Sequence, residues 1–176
     1  MKNNVRRLIN ELADEVRVAY DIPIPIIDLR EVVHMMNGAI EYSIQLQFDG
    51  RIKKSSDGTH SFVISLPVTN SDLRDRFTIA HELGHLFLHM GYMSDDGKWE
   101  NINPSEIYNR DNEASEREYQ ANEFAAALLM PQEEFKKKID EFELNGRVAM
   151  TKVADYFGVS LEAAINRGRW LGYLEW

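Results

Sequence analysis

The chain contains no cysteine. Disulfide frameworks, thiolate nucleophiles and cysteine-ligated metal centres are therefore excluded. Histidine is scarce, with five in 176 residues. Any imidazole-based site must draw on His34, His60, His81, His85 and His89. Cations are outnumbered, 20 Lys and Arg against 29 Asp and Glu, for a net charge of −9. That balance argues against a generic phosphate-binding surface, which needs clustered Lys and Arg. No apolar run approaches the roughly 20 residues that span a bilayer. The opening MKNNVRRLINELADEV has no signal-peptide pattern. Its Val5, Leu8, Ile9, Leu12 and Val16 recur at helical spacing instead, with charges between them. A cytoplasmic location is the expectation. Internal repeats and low-complexity tracts are also absent. What remains, 44% hydrophobic and 28% charged residues, is the balance of an ordinary globular protein with one core.

Residues 4–19 read as an amphipathic helix that stops before DIPIPI, where Pro23 and Pro25 force extended backbone. DLREVVHMMNG predicts a short helix with Gly38 as its terminator. AIEYSIQLQF alternates with period two, as a strand does. RIKK and HSFVISLP, joined by a turn at SSDG, predict a hairpin. These three strands are expected to make a small antiparallel sheet. TNSDLRDRFTIAHELGHLFLHM reads as a long helix capped by Thr69, Asn70 or Ser71. Residues 91–112 form a polar loop, long enough for a compact domain to suggest function. A helix over 113–130 ends at Pro131, which opens the next one. In that next helix Glu133 and Glu134 are expected to pair with Lys137 and Lys138. The tail predicts two short helices around Gly158–Val159–Ser160, with Ser160 capping the second. The expected class is thus α+β and mainly helical. The expected division is a main domain over 1–132 and a C-terminal helical, helix-turn-helix-like extension over 133–176 packed on it.

HELGH (81–85) matches His-Glu-x-x-His. Residues i and i+4 point the same way on a helix, so His81 and His85 can converge on one zinc ion. Glu82 can sit beside a zinc-bound water and act as general base. By chance the pattern arises in on the order of one in a few hundred chains of this length. The competing reading is a buried helix whose histidines are satisfied by hydrogen bonds. His85 and His89 share the same spacing, but Leu86, not a glutamate, follows His85. His89 is therefore expected to close the helix end near its last carbonyls.

A catalytic zinc site needs a third protein ligand. The metzincin extension fails, because it requires Gly at 88 and His at 91 where the chain has Leu88 and Gly91. A carboxylate on a second helix remains, as in thermolysin-like His₂Glu sites. Of Glu113, Glu116, Glu118 and Glu123, only Glu118 points with the buried stripe of Ala121, Ala125, Leu128 and Leu129. A carboxylate turned into an apolar interface needs a partner or a metal, so Glu118 is the expected third ligand. Asn122, one turn on, can orient a ligating imidazole from behind.

These two stretches resemble the ImmA/IrrE family of bacterial and phage zinc metallopeptidases. RFTIAHELGHLFLH (76–89) is similar to R-F-T-x-A-H-E-L-G-H-x-x-x-H of that family, and EYQANEFAAALLMP (118–131) to E-x-x-A-N-x-F-A-x-x-L-L-M-P. VADYFGVSLEAAINR (153–167) is similar to the pair of hydrophobic helices that follows. The last helix departs from the pattern, reading R-G-R-W-L-G in place of R-L-x-x-L-G. The resemblance implies a zincin-like, gluzincin-type domain with His81, His85 and Glu118 on zinc and Glu82 as base. It also implies a protein substrate, a helix-turn-helix repressor or antitoxin, and a role in transcription regulation.

Two other readings stand beside the endopeptidase. One is a metal-bound regulator that acts by contact and cleaves nothing. The other is DNA binding through the C-terminal helices, with Lys152, Arg167 and Arg169; the net charge and the apolar Val153, Phe157 and Val159 oppose it. The second donor to a reacting carbonyl oxygen is not identified; Tyr92, Tyr108, Arg110 and Tyr119 are candidates. HSFVISLP is expected to offer its edge to an extended substrate segment.

Overall fold

Side-chain caps written in the sequence start four of the described helices. The computed structural model describes residues 2–44, 50–69, 71–103 and 114–176. Helix α1 (Asn3–Ala19) buries Ile9, Ala13 and Val16, one stripe at helical spacing. Helix α2 (Leu29–Met35) starts at Asp28, whose carboxylate accepts the Arg30 amide. Asn37, not Gly38, takes the left-handed position after it, with φ 58°. Gly38 opens strand β1 (Gly38–Ser43), where a Cβ would overlap the Phe62 ring. The later part of the alternating stretch, 45–48, lies outside the described residues, as does Asn70.

Strands β2 (Arg51–Lys54) and β3 (Phe62–Pro67) form the expected antiparallel hairpin, from Arg51 opposite Ser65 to Lys54 opposite Phe62. The sheet as a whole is mixed, which corrects the all-antiparallel expectation. Its order is β1–β3–β2, and β1 runs parallel to β3, with Gly38 opposite Phe62 and Ser43 opposite Pro67. Alternation marks a strand and its faces but not its neighbour. The direction of β1 against β3 is likewise not written in the alternation. β3 is buried along its whole length, as a central strand should be. The idea that β3 offers a free edge is therefore overturned, because both its edges are paired.

Helix α3 (Asp72–His89) is capped by the Ser71 hydroxyl, which accepts the Arg74 amide. Helix α4 (Asp96–Asn101), capped by Asp95, occupies part of the stretch expected to be loop. Helix α5 (Ala114–Leu129) leads through Pro131 into α6 (Gln132–Glu141). The α6 lysines pair differently from expectation: Lys136 with Asp140, Lys137 with Glu134 and Lys138 with Glu141. Glu134 also accepts the Tyr156 hydroxyl, and Lys138 lies over the Tyr156 ring. A small hairpin follows, β4 (Glu143–Leu144) and β5 (Arg147–Val148), turning through Asn145 and Gly146, both at positive φ. Asn-Gly is a strong hairpin signal, and it is the one turn signal the sequence reading passed over. Helices α7 (Met150–Phe157) and α8 (Leu161–Trp170) flank Gly158 at φ 62°, with Ser160 accepting the Ala163 amide as expected.

The fold is α+β and mainly helical. Helix α3 packs against α5 and also meets α2, β2 and β3, while α1 packs against α5. Buried side chains from every described helix except α4, including Val153, Phe157 and Ala164, join one hydrophobic cluster. Arg76 ties the last helices to the rest. Its guanidinium donates to the carbonyls of Gly158, Phe157, Ile26 and Ile27.

Candidate metal centre

Helix α3 is unusual in burying almost every side chain from Thr78 to Phe87. His81, Glu82 and His85 lie inside this buried stretch, at 6%, 4% and 7% exposure. Such polar groups are tolerated only with partners. The partner comes from α5, which approaches α3 at Gly84. A Cβ there would come within 2.9 Å of the Ala121 Cα and 3.0 Å of its carbonyl oxygen. The two backbones therefore touch where Gly84 and Ala121 meet, and Glu118, one turn before Ala121, reaches both histidines.

Glu118 Oε2 stands 3.2 Å from His81 Nε2, and Oε1 stands 3.2 Å from His85 Nε2. The two Nε2 atoms are 3.0 Å apart. One ligand atom from each of these three residues lies within 4.8 Å of the others, and among the described residues no other such group of His, Asp or Glu occurs. The far side of His81 is also held: its Nδ1 is 2.9 Å from Asn122 Oδ1.

The charges reinforce the geometry. Burial disfavours a charged His81, but the Glu118 hydrogen bond, the nearby Glu82 and Glu118 charges and Asn122 together raise its pKa above the ordinary value. Hydrogen bonds from His81 and His85 hold the Glu118 carboxyl well below the usual carboxylate range. Glu118 is thus ionised and accepting, as a ligand carboxylate must be. Glu82 points where β2 begins: a Cβ at Gly50 would sit 3.3 Å from Glu82 Oε1 and overlap the Thr78 methyl.

His89 does not cap the helix end. Met90 does that, donating its amide to the His85 carbonyl at 3.0 Å. The His89 ring is buried, with Nδ1 2.9 Å from His85 Nδ1 and Nε2 3.1 Å from Gln120 Oε1. Burial pushes its pKa down to about 4, with the Gln120 hydrogen bond opposing. Sequence reasoning missed both residues in this role. The signal was available in the i,i+4 step from His85 to His89, which suits a supporting contact as well as a cap.

Glu116 is exposed, and Glu113 lies outside the described residues. Glu123 is buried after all, but its carboxylate is taken by Arg6, Asn10 and Arg167. Tyr92 is a core residue whose hydroxyl donates to the Met36 carbonyl at 2.6 Å, so it is withdrawn as an oxyanion donor. Tyr119 is 62% exposed; Tyr108 and Arg110 lie outside the described residues. Arg167, one of three cations in the DNA-binding reading, is buried on Glu123. Arg169 is held by the Glu175 carbonyl. No helix among the described residues is long and apolar enough to cross a membrane.

The profile of the Peptidase M78 family, the IrrE N-terminal-like domain, matches residues 44–168. That span contains HELGH, Glu118, α7 and α8 as far as Gly168. Among solved structures the chain is similar to a Mycobacterium tuberculosis transcriptional regulator, with a TM-score of 0.60 and 18% identity. The match covers 92% of this chain and 46% of that one, so this chain spans about half that protein's length. At this identity the likeness concerns the fold. No curated protein matches the sequence.

Proposed function

The chain belongs to the Peptidase M78 family of IrrE N-terminal-like domains, and from that membership we propose a zinc-dependent endopeptidase with His81, His85 and Glu118 as ligands and Glu82 as general base. The observation that carries the reading is the convergence of two Nε2 atoms and a carboxylate while Asn122 holds the outer nitrogen of His81. Two imidazoles and one carboxylate are a donor set that suits a catalytic zinc ion. Held imidazoles are the usual support of such a site. When bound, the ion supplies the Lewis acidity that makes water nucleophilic near neutral pH and polarises a carbonyl.

The remaining chemistry belongs to the chain. Glu82 accepts the proton of the attacking water and returns it to the leaving amine. Its burial beside His81 keeps it out of bulk solvent and close to the reacting atoms. Asn122 Oδ1 accepts a hydrogen bond from His81 Nδ1–H and so keeps Nε2 available. Strand β2, which pairs only with β3 among the described residues, begins beside Glu82. Its outer edge suits an extended substrate segment, which would add to it as a strand.

Family resemblance supplies the substrate class, a helix-turn-helix repressor or antitoxin, and with it a cytoplasmic role in transcription regulation. We read residues 1–132 as the catalytic unit and 133–176 as a helical extension seated on it. The test is cleavage of such a regulator by zinc-loaded protein, wild type beside Glu82→Gln. The variant should keep its zinc and lose cleavage by about 10²–10⁴-fold. Undiminished regulation by Glu82→Gln with the regulator intact would favour the contact-only regulator instead.

A further inference from the structure

Resting on the zinc reading above, we propose that His89 and Gln120 are a positioning pair that keeps the His85 proton on Nδ1, so that Nε2 faces the metal as a lone pair. His85 Nδ1 and His89 Nδ1 are 2.9 Å apart. Two nitrogens at that distance hold one proton between them. If both carried one, the N–H groups would collide; if neither did, two lone pairs would face each other in a buried site.

His85 turns Nε2 toward Glu118 and His81. With zinc in place of the Nε2 proton, a neutral His85 that binds through Nε2 carries its proton on Nδ1. His89 Nδ1 is then the acceptor, and the proton of a neutral His89 sits on Nε2. That nitrogen meets Gln120 Oε1 at 3.1 Å, an oxygen that can only accept. The chain is consistent in one direction: His85 Nδ1–H donates to His89, and His89 Nε2–H donates to Gln120. Reversing the Gln120 amide would put an N–H against His89 Nε2, move the His89 proton to Nδ1 and drive the His85 lone pair away from the site. Asn122 acts on His81 in one step; Gln120 acts on His85 in two. Helix α5 therefore supplies one ligand, Glu118, and the acceptors behind both imidazoles.

The pair predicts three results in the full chain. Nitrogen-15 NMR of the zinc-loaded wild type should show His89 protonated on Nε2 only. In competition against a chromophoric chelator, His89→Leu should bind zinc about 10–100-fold more weakly. His89→Asn, whose amide oxygen can stand where Nδ1 stood, should recover most of that loss. The visible spectrum of the cobalt-loaded protein should shift in His89→Leu and return in His89→Asn. An Nδ1-protonated His89, an unchanged affinity in His89→Leu, or equal weakening in both variants would overturn the proposal. The NMR measurement needs no variant, so it decides the matter even if a substitution disturbs folding. A wild type that binds no zinc would instead overturn the metal reading, and this inference with it.

Discussion

At the scale of single residues, the site is a contest between protons and a metal for the same three groups. Glu118 is held ionised by two imidazoles, so it contributes charge as well as a ligand atom. Glu118→Ala should reduce zinc to well below one per chain in metal analysis of purified protein. Asn122→Ala removes only the acceptor behind His81 and should weaken zinc about 10–100-fold without emptying the site at saturating metal. Full stoichiometry in Glu118→Ala would refute its assignment as a ligand. HELGH made two imidazoles and a base legible, because helical spacing alone puts them on one face. Glu118 was legible because a carboxylate aligned with an alanine stripe demands a partner. The same rule passed over Glu123, whose partners Arg6 and Arg167 are 117 and 44 residues away in the chain. Spacing along one helix carries no information about such distant cations.

At the scale of elements, the site depends on how closely α3 and α5 approach. Ala121 and Ala125 keep the facing side of α5 small, and the glycine that meets Ala121 sits inside HELGH. Gly84→Ala separates two opposing effects. Alanine gains about 1 kcal/mol of helix propensity. Its Cβ, however, would meet the Ala121 backbone at 2.9 and 3.0 Å, and a backbone cannot rotate away as a side-chain tip can. Overpacking costs about 1–3 kcal/mol, so the steric effect should win. The variant should melt at lower temperature than wild type when metal-free. Its zinc affinity should also fall, since Glu118 moves with α5. A raised melting temperature would show that the helices yield and that this contact does not set the site. The sheet gives the complementary lesson. Strand existence and the β2–β3 hairpin were legible from alternation and a turn. The parallel β1 was not, because its position beyond β3 is decided by packing between elements remote in sequence.

At the scale of the whole molecule, the back of α5 is anchored as firmly as its front. Glu123 follows Asn122 directly, yet it faces α1 and α8 rather than the metal centre. Arg167 of α8 donates to Glu123 Oε1, to the Met130 carbonyl and to Asn10 Oδ1. Arg6 of α1 holds Glu123 Oε2 and lies 4.0 Å over the Trp170 ring. The family profile starts at residue 44, so α1 precedes it, but α1 supplies one cation, Arg6, and one amide donor, Asn10, to this buried carboxylate. Burial alone lowers the Arg167 pKa, and Glu123 opposes that shift; the charges tolerate the interior because they are paired. Removing one member of a buried pair typically costs about 3–5 kcal/mol. Arg167→Leu should lie toward the lower end, because Arg6 and Asn10 still serve Glu123. Adding Glu123→Leu removes the orphaned charge, so the double variant should lose less than the sum of the two single losses. The shortfall should be about 0.5–3 kcal/mol, the range of coupled contacts, in urea unfolding of the metal-free protein. Strict additivity would mean that Arg167 acts through packing alone. A loss confined to zinc affinity, with global stability unchanged, would mean that α8 steers α5 without holding the fold together.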